Sequence, residues 1–296
     1  MQLFLMLLQI VLMLLAAPLL SGIITKIKNN LRMRKGPSIL QPYYNLAKYF
    51  RKDEVVSEHV SWIFRAAPYI VFSSTIVAAM LTPFFFQLTA PQYVGDFLAL
   101  IFLFSLGRFF LSLAGLDPAS AFGGMGSSRE MFISSFVEPV ILLSVLGVAY
   151  GAGTTSLLVI SSLQPVLLSP LFAILALFLV TLAETSRIPI DNQETHLELT
   201  MIHEAMVLEY SGRSLALLEW AAYLKQLIFF SLIAFLINTY LGMQPAAILL
   251  ELLGLCLVVS LTELSLAKMR LFRAVDYLAF AGVLGLFALV GIILGV

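Results

Sequence analysis

The sequence predicts an all-α polytopic membrane protein with eight transmembrane helices and one amphipathic helix on the cytoplasmic side. Of its 296 residues, 60% are hydrophobic and only 11% are charged, with a mean hydropathy of +1.00, whereas a soluble domain carries roughly 25% charged residues. Eight apolar segments are long enough to cross a hydrocarbon core of about 30 Å. Outside these segments, Lys and Arg residues occur only in every second loop, as is typical of proteins with several transmembrane helices.

We expect one membrane domain over residues 1–296. Because no basic region and no small-residue cleavage site accompany the first apolar segment, it is predicted to be a retained span and not a signal peptide. The eight predicted spans are Leu3–Ile23, Ala67–Leu88, Asp96–Leu116, Met131–Gly151, Pro165–Ala183, Ala221–Leu241, Ala246–Ala267 and Ala274–Val296.

The positions of Lys and Arg predict the sidedness. Outside the spans they occur in residues 24–66, 117–130, 184–220 and 268–273, and the other connections and both termini have none. By the positive-inside rule these four loops are cytoplasmic and both termini face outward. We expect the chain to lie in the cell inner (cytoplasmic) membrane.

Two features of the first two cytoplasmic loops are predicted from residue spacing. From Gln41 to Asp53 apolar side chains recur at helical spacing, with polar side chains opposite, which indicates an amphipathic helix in the membrane interface. Its alternative interpretation is a simple anchor to lipid headgroups. Residues 117–130 are expected to form a short loop in which Gly123, Gly124 and Gly126 permit close backbone approach. This loop lacks the Gly-Lys-Ser/Thr ending of a phosphate-binding loop.

Residues 183–212 form a polar stretch between apolar segments, with six acidic residues and two histidines. A helix is expected after Pro189, with Glu194, Glu198 and Glu209 within about 60° on one side and with both histidines opposite. His196 and His203 would lie about 10 Å apart, so a metal site is not expected. The stretch is then either a solvated helix on the membrane surface or a charged surface that docks a partner or feeds protons inward.

Several ionisable residues lie within predicted spans, where an unpaired charge costs several kcal/mol. Arg108 is close enough to the cytoplasmic end to snorkel, whereas Glu138 is too deep and is either a proton carrier or the structural partner of Arg108. Glu251 lies near the outer end, where we expect it to be hydrated. The set is Arg108, Glu138, Glu184, Glu251 and Glu263, with Asp276 near the start of the last span.

Composition excludes other classes of protein. The formal net charge of zero leaves no basic surface for nucleic acid. The single Cys256 can form neither a disulfide framework nor an iron–sulfur site by itself. We therefore expect no metal ligands in this chain.

Several motifs resemble one family of membrane proteins. They are Arg34-Lys35-Gly36-Pro37, Leu40-Gln41-Pro42, Lys48, Arg129, Glu138, Ala183-Glu184-Thr185-Ser186-Arg187-x-Pro189-x-Asp191 and Glu209-Tyr210-Ser211-Gly212. Together they are similar, in the broad sense, to the family of the complex I membrane protein that joins the two arms of that respiratory complex. The family includes the homologous membrane subunits of formate hydrogenlyase, hydrogenase 4 and other group 4 energy-converting Ni-Fe hydrogenases. The segments at 61–70, 106–130 and 137–139 resemble the hydrogenase branch.

The resemblance implies a subunit without a redox centre or catalytic centre of its own. Such a subunit docks a cytoplasmic redox module and couples electron transfer to proton or sodium translocation. Its partners would be hydrogenase-like or complex I-like large and small subunits, antiporter-like membrane subunits and the lipid bilayer. Those soluble partners would carry iron–sulfur clusters and, in the hydrogenase branch, a Ni-Fe centre. The proton-path residues would be Arg108, Glu138, Glu184, Glu198, Glu204, Glu209 and Glu263. The docking residues would be Arg34, Gly36, Pro37, Gln41, Pro42, Lys48, Asp117, Arg129, Glu130, Arg187, Asp191 and Tyr210.

Other functions stay open at this point. Asn45 and residues 192–207 depart from the complex I pattern where a quinone tunnel would be shaped, which counts against quinone binding. The alternatives are the corresponding NADH-quinone oxidoreductase component itself with a quinone site, a free-standing secondary ion transporter, or a passive anchor.

Overall fold

A computed structural model of the protein describes residues 2–82, 96–157, 169–192, 201–241 and 247–294. Within these ranges the regular secondary structure is helical, apart from an isolated β-bridge between Asp96 and Ser156. The described helices are α1 (Gln2–Leu31), α2 (Gln41–Phe50), α3 (Trp62–Leu81), α4 (Phe97–Leu116), α5 (Ala121–Ala152), α6 (Ser169–Glu184), α7 (His203–Val207), α8 (Gly212–Leu241), α9 (Ile248–Ser265) and α10 (Leu271–Leu294).

Seven of these helices are long and apolar enough to cross a membrane, namely α1, α3, α4, α5, α8, α9 and α10. At the position of the fifth predicted span, α6 is apolar but has 16 residues. The predicted start of that span at Pro165 lies outside the described residues. The all-helical membrane fold is therefore confirmed, whereas the count of eight spans is not.

The glycine-rich loop predicted at 117–130 is wrong for most of its length, because α5 already begins at Ala121. Ser120 caps this helix, since its Oγ accepts a hydrogen bond from the Gly123 N–H at 3.2 Å. Glycine disfavours a helix in isolation, but here it permits packing: a Cβ on Gly123 would lie 2.2 Å from the Gly115 carbonyl oxygen. Tertiary contact thus outweighs local propensity.

Two other predicted loops are also shorter than expected. Helix α1 continues through Lys28 to Leu31, and α8 begins at Gly212 and not at Ala221. The charged residues at these helix ends therefore lie on helices that pack into the bundle, which places them near its buried charges.

A helix does form at Gln41–Phe50, where the amphipathic segment was predicted. Pro42 and Leu46 are buried, whereas Lys48 is exposed. The ring of Phe50 meets that of Trp220 edge-on at 6.1 Å between centroids, which joins α2 to α8. The position of α2 relative to the lipid stays a prediction.

Much of the described part of the polar stretch at 183–212 lies inside the protein. Residues 184–191 are buried, as are Met201, Ile202 and residues 205–207. Tyr210 stacks on Phe64 at 4.0 Å between ring centroids, and its hydroxyl donates to the Phe64 carbonyl oxygen at 2.9 Å. The interpretation as a solvated surface helix is therefore wrong for these residues. The described helix there covers only His203–Val207, and residues 193–200 lie outside the described ranges.

Candidate functional site

A group of five charged side chains from four helices meets inside the bundle. Its centre is Arg108 of α4, only 7% exposed. Its Nη1 lies 2.9 Å from Oε1 of Glu138 on α5, and its Nη2 is paired with Glu184 at the end of α6. Glu184 is also paired with Lys225 of α8, and Glu130 of α5 lies beside Arg108. We call these residues the Arg108 cluster.

The ion pairs of the Arg108 cluster are unequal. The distance from the Arg108 Nε to the Glu130 Oε1 is 3.6 Å, which is beyond hydrogen-bond range. Glu138 and Glu184 instead accept hydrogen bonds from the guanidinium. Glu130 is therefore held less tightly than the other two carboxylates.

The structure excludes one interpretation of Arg108. Snorkelling of Arg108 is wrong, because its guanidinium is buried among carboxylates. The pair between Arg108 and Glu138 is present, yet the Glu138 side chain is 39% exposed on the outside of this chain. A role of Glu138 in proton transfer stays a prediction.

Sequence reasoning missed Lys225, although a signal for it existed. Lys225 lies within the predicted span Ala221–Leu241 and is therefore an intramembrane cation by the rule that selected Arg108. It supplies the second positive charge beside Glu184. Without the fold, nothing shows that residues so far apart in sequence meet.

A second buried group joins α1, α8, α9 and the segment after α6. Glu263 of α9, 4% exposed, accepts from Lys28 at 2.9 Å and from Arg187 at 3.0 Å. Arg187 also donates to Gln226 at 3.0 Å. Lys28 had been assigned only to the cytoplasmic loop, so its role in pairing Glu263 was also missed.

Asp191 holds the polar stretch together. Its carboxylate is paired with Lys268 at 2.6 Å, which ties the segment to the connection before α10. The other carboxylate oxygen accepts from the backbone N–H groups of Ile202 at 3.3 Å and His203 at 3.2 Å. Asp191 therefore fixes the start of α7 from inside the protein.

A cavity of about 350 Å³ lies between α1, α2, α7 and α8. Its lining is rich in polar and titratable groups, which we call the polar cavity: Thr25, Gln41, Asn45, Tyr49, Arg187, His203, Glu204, Glu219, Tyr223 and Gln226. A smaller cavity of about 60 Å³ is lined by Arg108, Glu130, Glu184 and Lys225 of the Arg108 cluster. His203, Thr185 and Ala222 line both cavities.

Two titratable residues of α7 border the polar cavity. Burial, followed by the negative charges of Glu219 and Asp191, raises the pKa of Glu204 to about 7. Burial lowers the pKa of His203 below its ordinary value, and Lys225 acts in the same direction, whereas Glu219 and Asp191 oppose the change. Glu204 is thus able to take up and release a proton near neutral pH.

The remaining predicted proton-path residues do not join these groups. Glu209 is exposed, and Glu198 lies outside the described residues.

The expectation that Glu251 is hydrated is wrong in this chain: it is 8% exposed and accepts a hydrogen bond from the Asn238 Nδ2 at 2.9 Å.

The predicted docking residues separate into exposed and internal sets. Arg34, Gly36, Pro37 and Lys48 are exposed, and Gln41 is half-buried. Asp117 accepts from the Ser61 N–H at 2.6 Å, and Arg129 donates to the Met201 carbonyl oxygen at 3.0 Å. The internal set, which contacts other parts of this chain, also includes Pro42, Glu130, Arg187, Asp191 and Tyr210.

The Arg108 cluster and the polar cavity bring titratable side chains together inside the bundle. Over the described ranges, no three His, Cys, Asp or Glu side chains are placed to hold a metal ion. The lining of the polar cavity contains both the carboxyl groups of Glu204 and Glu219 and hydrogen-bond donors such as Tyr49, Arg187 and Tyr223.

Known proteins resemble this chain over much or nearly all of its length. Hydrogenase-4 component C of Escherichia coli (strain K12) is 36% identical over 289 residues, covering 92% of this chain and 91% of that protein. Formate hydrogenlyase subunit 4 of the same organism is 31% identical over 270 residues, covering 86% and 87%. An NADH-quinone oxidoreductase subunit of Rubrobacter xylanophilus is 29% identical over 211 residues, covering 66% and 62%.

The fold is also found in a solved structure. A chain of the membrane-bound sulfane sulfur reductase, described as an archaeal respiratory membrane complex, has a TM-score of 0.80 and 18% identity, covering 97% of this chain and 98% of that chain. The resemblance inferred from the motifs is confirmed, and the two hydrogenase-type proteins match more of the chain than the Rubrobacter protein does. The model of the family described as NADH dehydrogenase matches residues 3–295, so the chain belongs to that family.

Proposed function

We propose that this chain is the membrane subunit of a complex I-like or group 4 hydrogenase-type oxidoreductase complex, and that it couples electron transfer in its partners to ion translocation. The Arg108 cluster carries this proposal. Charges from four helices are retained inside a predominantly apolar bundle, at a high desolvation cost. A passive anchor needs none of them.

The buried carboxylates give a physical means of coupling. A change of charge at the polar cavity alters the electrostatic potential at Glu184 and Glu138 over a short, weakly screened path. The affinity of these carboxylates for protons then changes, so that a redox event in a neighbouring subunit drives proton uptake or release. The translocated ion is a proton, or sodium in exchange for it.

The redox module is proposed to dock on the cytoplasmic face, around the exposed residues Arg34, Gly36, Pro37 and Lys48. Large and small subunits of hydrogenase-like or complex I-like type would supply iron–sulfur clusters and, in the hydrogenase type, a Ni-Fe centre. Antiporter-like membrane subunits would cover the lipid-facing side, where the half-exposed Glu138 needs a polar neighbour.

Mild-detergent purification tests this assembly: a lone monomer or homodimer would instead indicate a free-standing transporter.

The coupling role is tested with Glu184→Gln and Glu138→Gln in the intact complex, reconstituted into sealed vesicles. Each change removes a titratable carboxyl but keeps its size. We expect electron transfer to continue while the ions moved per electron fall clearly. Glu58→Gln, on an exposed segment, is the matched control. Full translocation stoichiometry in both variants would refute coupling through these carboxylates.

A further inference from the structure

His203 occupies the boundary between the two cavities. It lines the polar cavity of about 350 Å³ on one side and the small cavity of the Arg108 cluster on the other. Thr185 and Ala222 also belong to both linings, but their side chains do not titrate near neutral pH. An imidazole at such a boundary can exchange protons with both sides, because each ring nitrogen is a donor or an acceptor.

The backbone holds His203 at this position. Its N–H donates to Asp191, and the Arg129 side chain binds the carbonyl oxygen of Met201 just before α7. On the other side, α7 packs on Gly126 of α5, where an added Cβ would lie 2.8 Å from that of Ala205. None of these contacts uses the imidazole, so replacing the ring leaves the support of α7 in place.

Charged groups face His203 from several elements. Glu219 and Lys225 come from α8, Asp191 from the segment after α6, and Glu204 follows on α7 itself. Glu204, with its pKa raised to about 7, is a proton donor and acceptor on the side of the polar cavity. His203 keeps a lowered pKa because of burial and Lys225, so that it releases a bound proton readily.

The small cavity supplies an acceptor on the other side. Glu184 is held by two cations, Arg108 and Lys225, which stabilise its ionised form. Glu130 lines the same cavity, and its contact with the Arg108 Nε is 3.6 Å. The less tightly paired Glu130 is therefore the carboxylate of this cavity best suited to accept a proton.

We propose that His203 is a proton-transfer residue that connects the polar cavity with Glu130. One ring nitrogen takes a proton from Glu204 or from water in the polar cavity, and the other nitrogen gives up its proton to the Glu130 carboxylate. The imidazole returns to its first neutral tautomer by turning its ring, so charge and protons balance. This inference rests on the proposed coupling function.

The test uses the intact complex in sealed vesicles and removes the ring with His203→Ala. We expect the rate of proton translocation to fall about tenfold or more, as for loss of a positioned proton donor. Added imidazole then restores the rate, because the polar cavity has room for it beside the vacated position. Pyrazole has nearly the same shape but is a far weaker base, and we expect it not to restore the rate. His59→Ala, in an exposed segment, is the control.

Each other outcome contradicts the proposal in a distinct way. Equal rescue by pyrazole and imidazole would show that the ring only fills space. Unchanged translocation in His203→Ala, with loss in Glu184→Gln, would overturn the role of His203 and leave coupling intact. Unchanged translocation in all of these variants would overturn the proposed function as well. Sodium accumulation without proton movement would exclude His203 as a proton carrier.

Discussion

The guanidinium Nη1 of Arg108 lies 2.9 Å from the carboxylate Oε1 of Glu138, and this contact joins α4 to α5 inside the bundle. The same guanidinium is paired with Glu184 of α6. One cation thus compensates carboxylates from two neighbouring helices, and its loss would leave Lys225 paired with Glu184 but would remove the cation paired with Glu138.

Arg108→Gln is expected to destabilise the protein by about 3–5 kcal/mol, because uncompensated charges then remain buried. The measurement is thermal unfolding of the purified complex in mild detergent, together with its yield. Arg273→Gln removes an exposed Arg at the start of α10 and is the control. If both variants unfold at the parental temperature, the Arg108 cluster does not carry the charge balance described above.

Gly126→Ala and Gly124→Ala are expected to have opposite effects, although both lie in the first turns of α5. A Cβ on Gly126 would meet Ala205 at 2.8 Å and the Ile202 carbonyl oxygen at 3.0 Å, whereas a Cβ on Gly124 meets nothing within 4 Å. Overpacking against α7 should cost about 1–3 kcal/mol. Gly124→Ala should gain about 0.5–1 kcal/mol from helix propensity.

Thermal unfolding of the two glycine variants in parallel tests this contact. The same sign of change in both would mean that α7 does not pack on α5 as described. Hydrogen exchange of residues 201–207 adds a local measure, because Gly126→Ala alone should loosen that segment.

Stability should depend on pH through Glu204. Its pKa rises in the folded protein from the ordinary 4.5 to about 7, so the fold favours the neutral carboxyl. The stabilisation is complete below pH 4.5 and is lost as the pH rises to 7, an effect of at most about 3 kcal/mol. Glu204→Gln should therefore unfold at a higher temperature than the parent at about pH 8 and at the same temperature at about pH 4.

Glu58→Gln is the control for this pH dependence, since Glu58 is exposed. Parallel pH profiles of the parent and Glu204→Gln would contradict the burial and charge environment assigned to Glu204.

The sidedness can be tested with single cysteines, because the native Cys256 is buried. Tyr150 is exposed at the end of α5 that is predicted to face outward, and Ser57 is exposed on the predicted cytoplasmic side. A membrane-impermeant maleimide added to spheroplasts should label Tyr150→Cys and should not label Ser57→Cys. The positive-inside rule is the physical reason, and the reverse pattern would invert the topology.

Part of the candidate site was predictable from single residues. A charge in an apolar segment must be paired or hydrated, and this reasoning selected Arg108, Glu138, Glu184 and Glu263 without a structure. Their partners were less predictable. Lys28 was assigned to a loop because the apolar part of α1 ends before it, although the helix itself continues to Leu31. Lys225 lies inside a predicted span and was not singled out.

The polar stretch shows the limit of local reasoning most clearly. Its helix-forming residues and charges favoured a long surface helix, yet the described helix α7 covers only His203–Val207, and Met201 and Ile202 just before it are buried. The reversal occurs because Asp191, Lys268 and Arg129 satisfy its polar groups inside the protein. No periodicity along the chain contains this information.

The sequence by itself determined the environment of the chain, since apolar segments of membrane length exclude a soluble fold and must form helices that satisfy their own backbone. It also determined which charges are costly. Only the tertiary structure decided which of these charges meet, because ion pairs between Arg108 and Glu184, or Arg187 and Glu263, depend on contacts between distant helices. It likewise decided that Gly126 lies in a helix, since close packing against α7 outweighs the small loss of helix propensity.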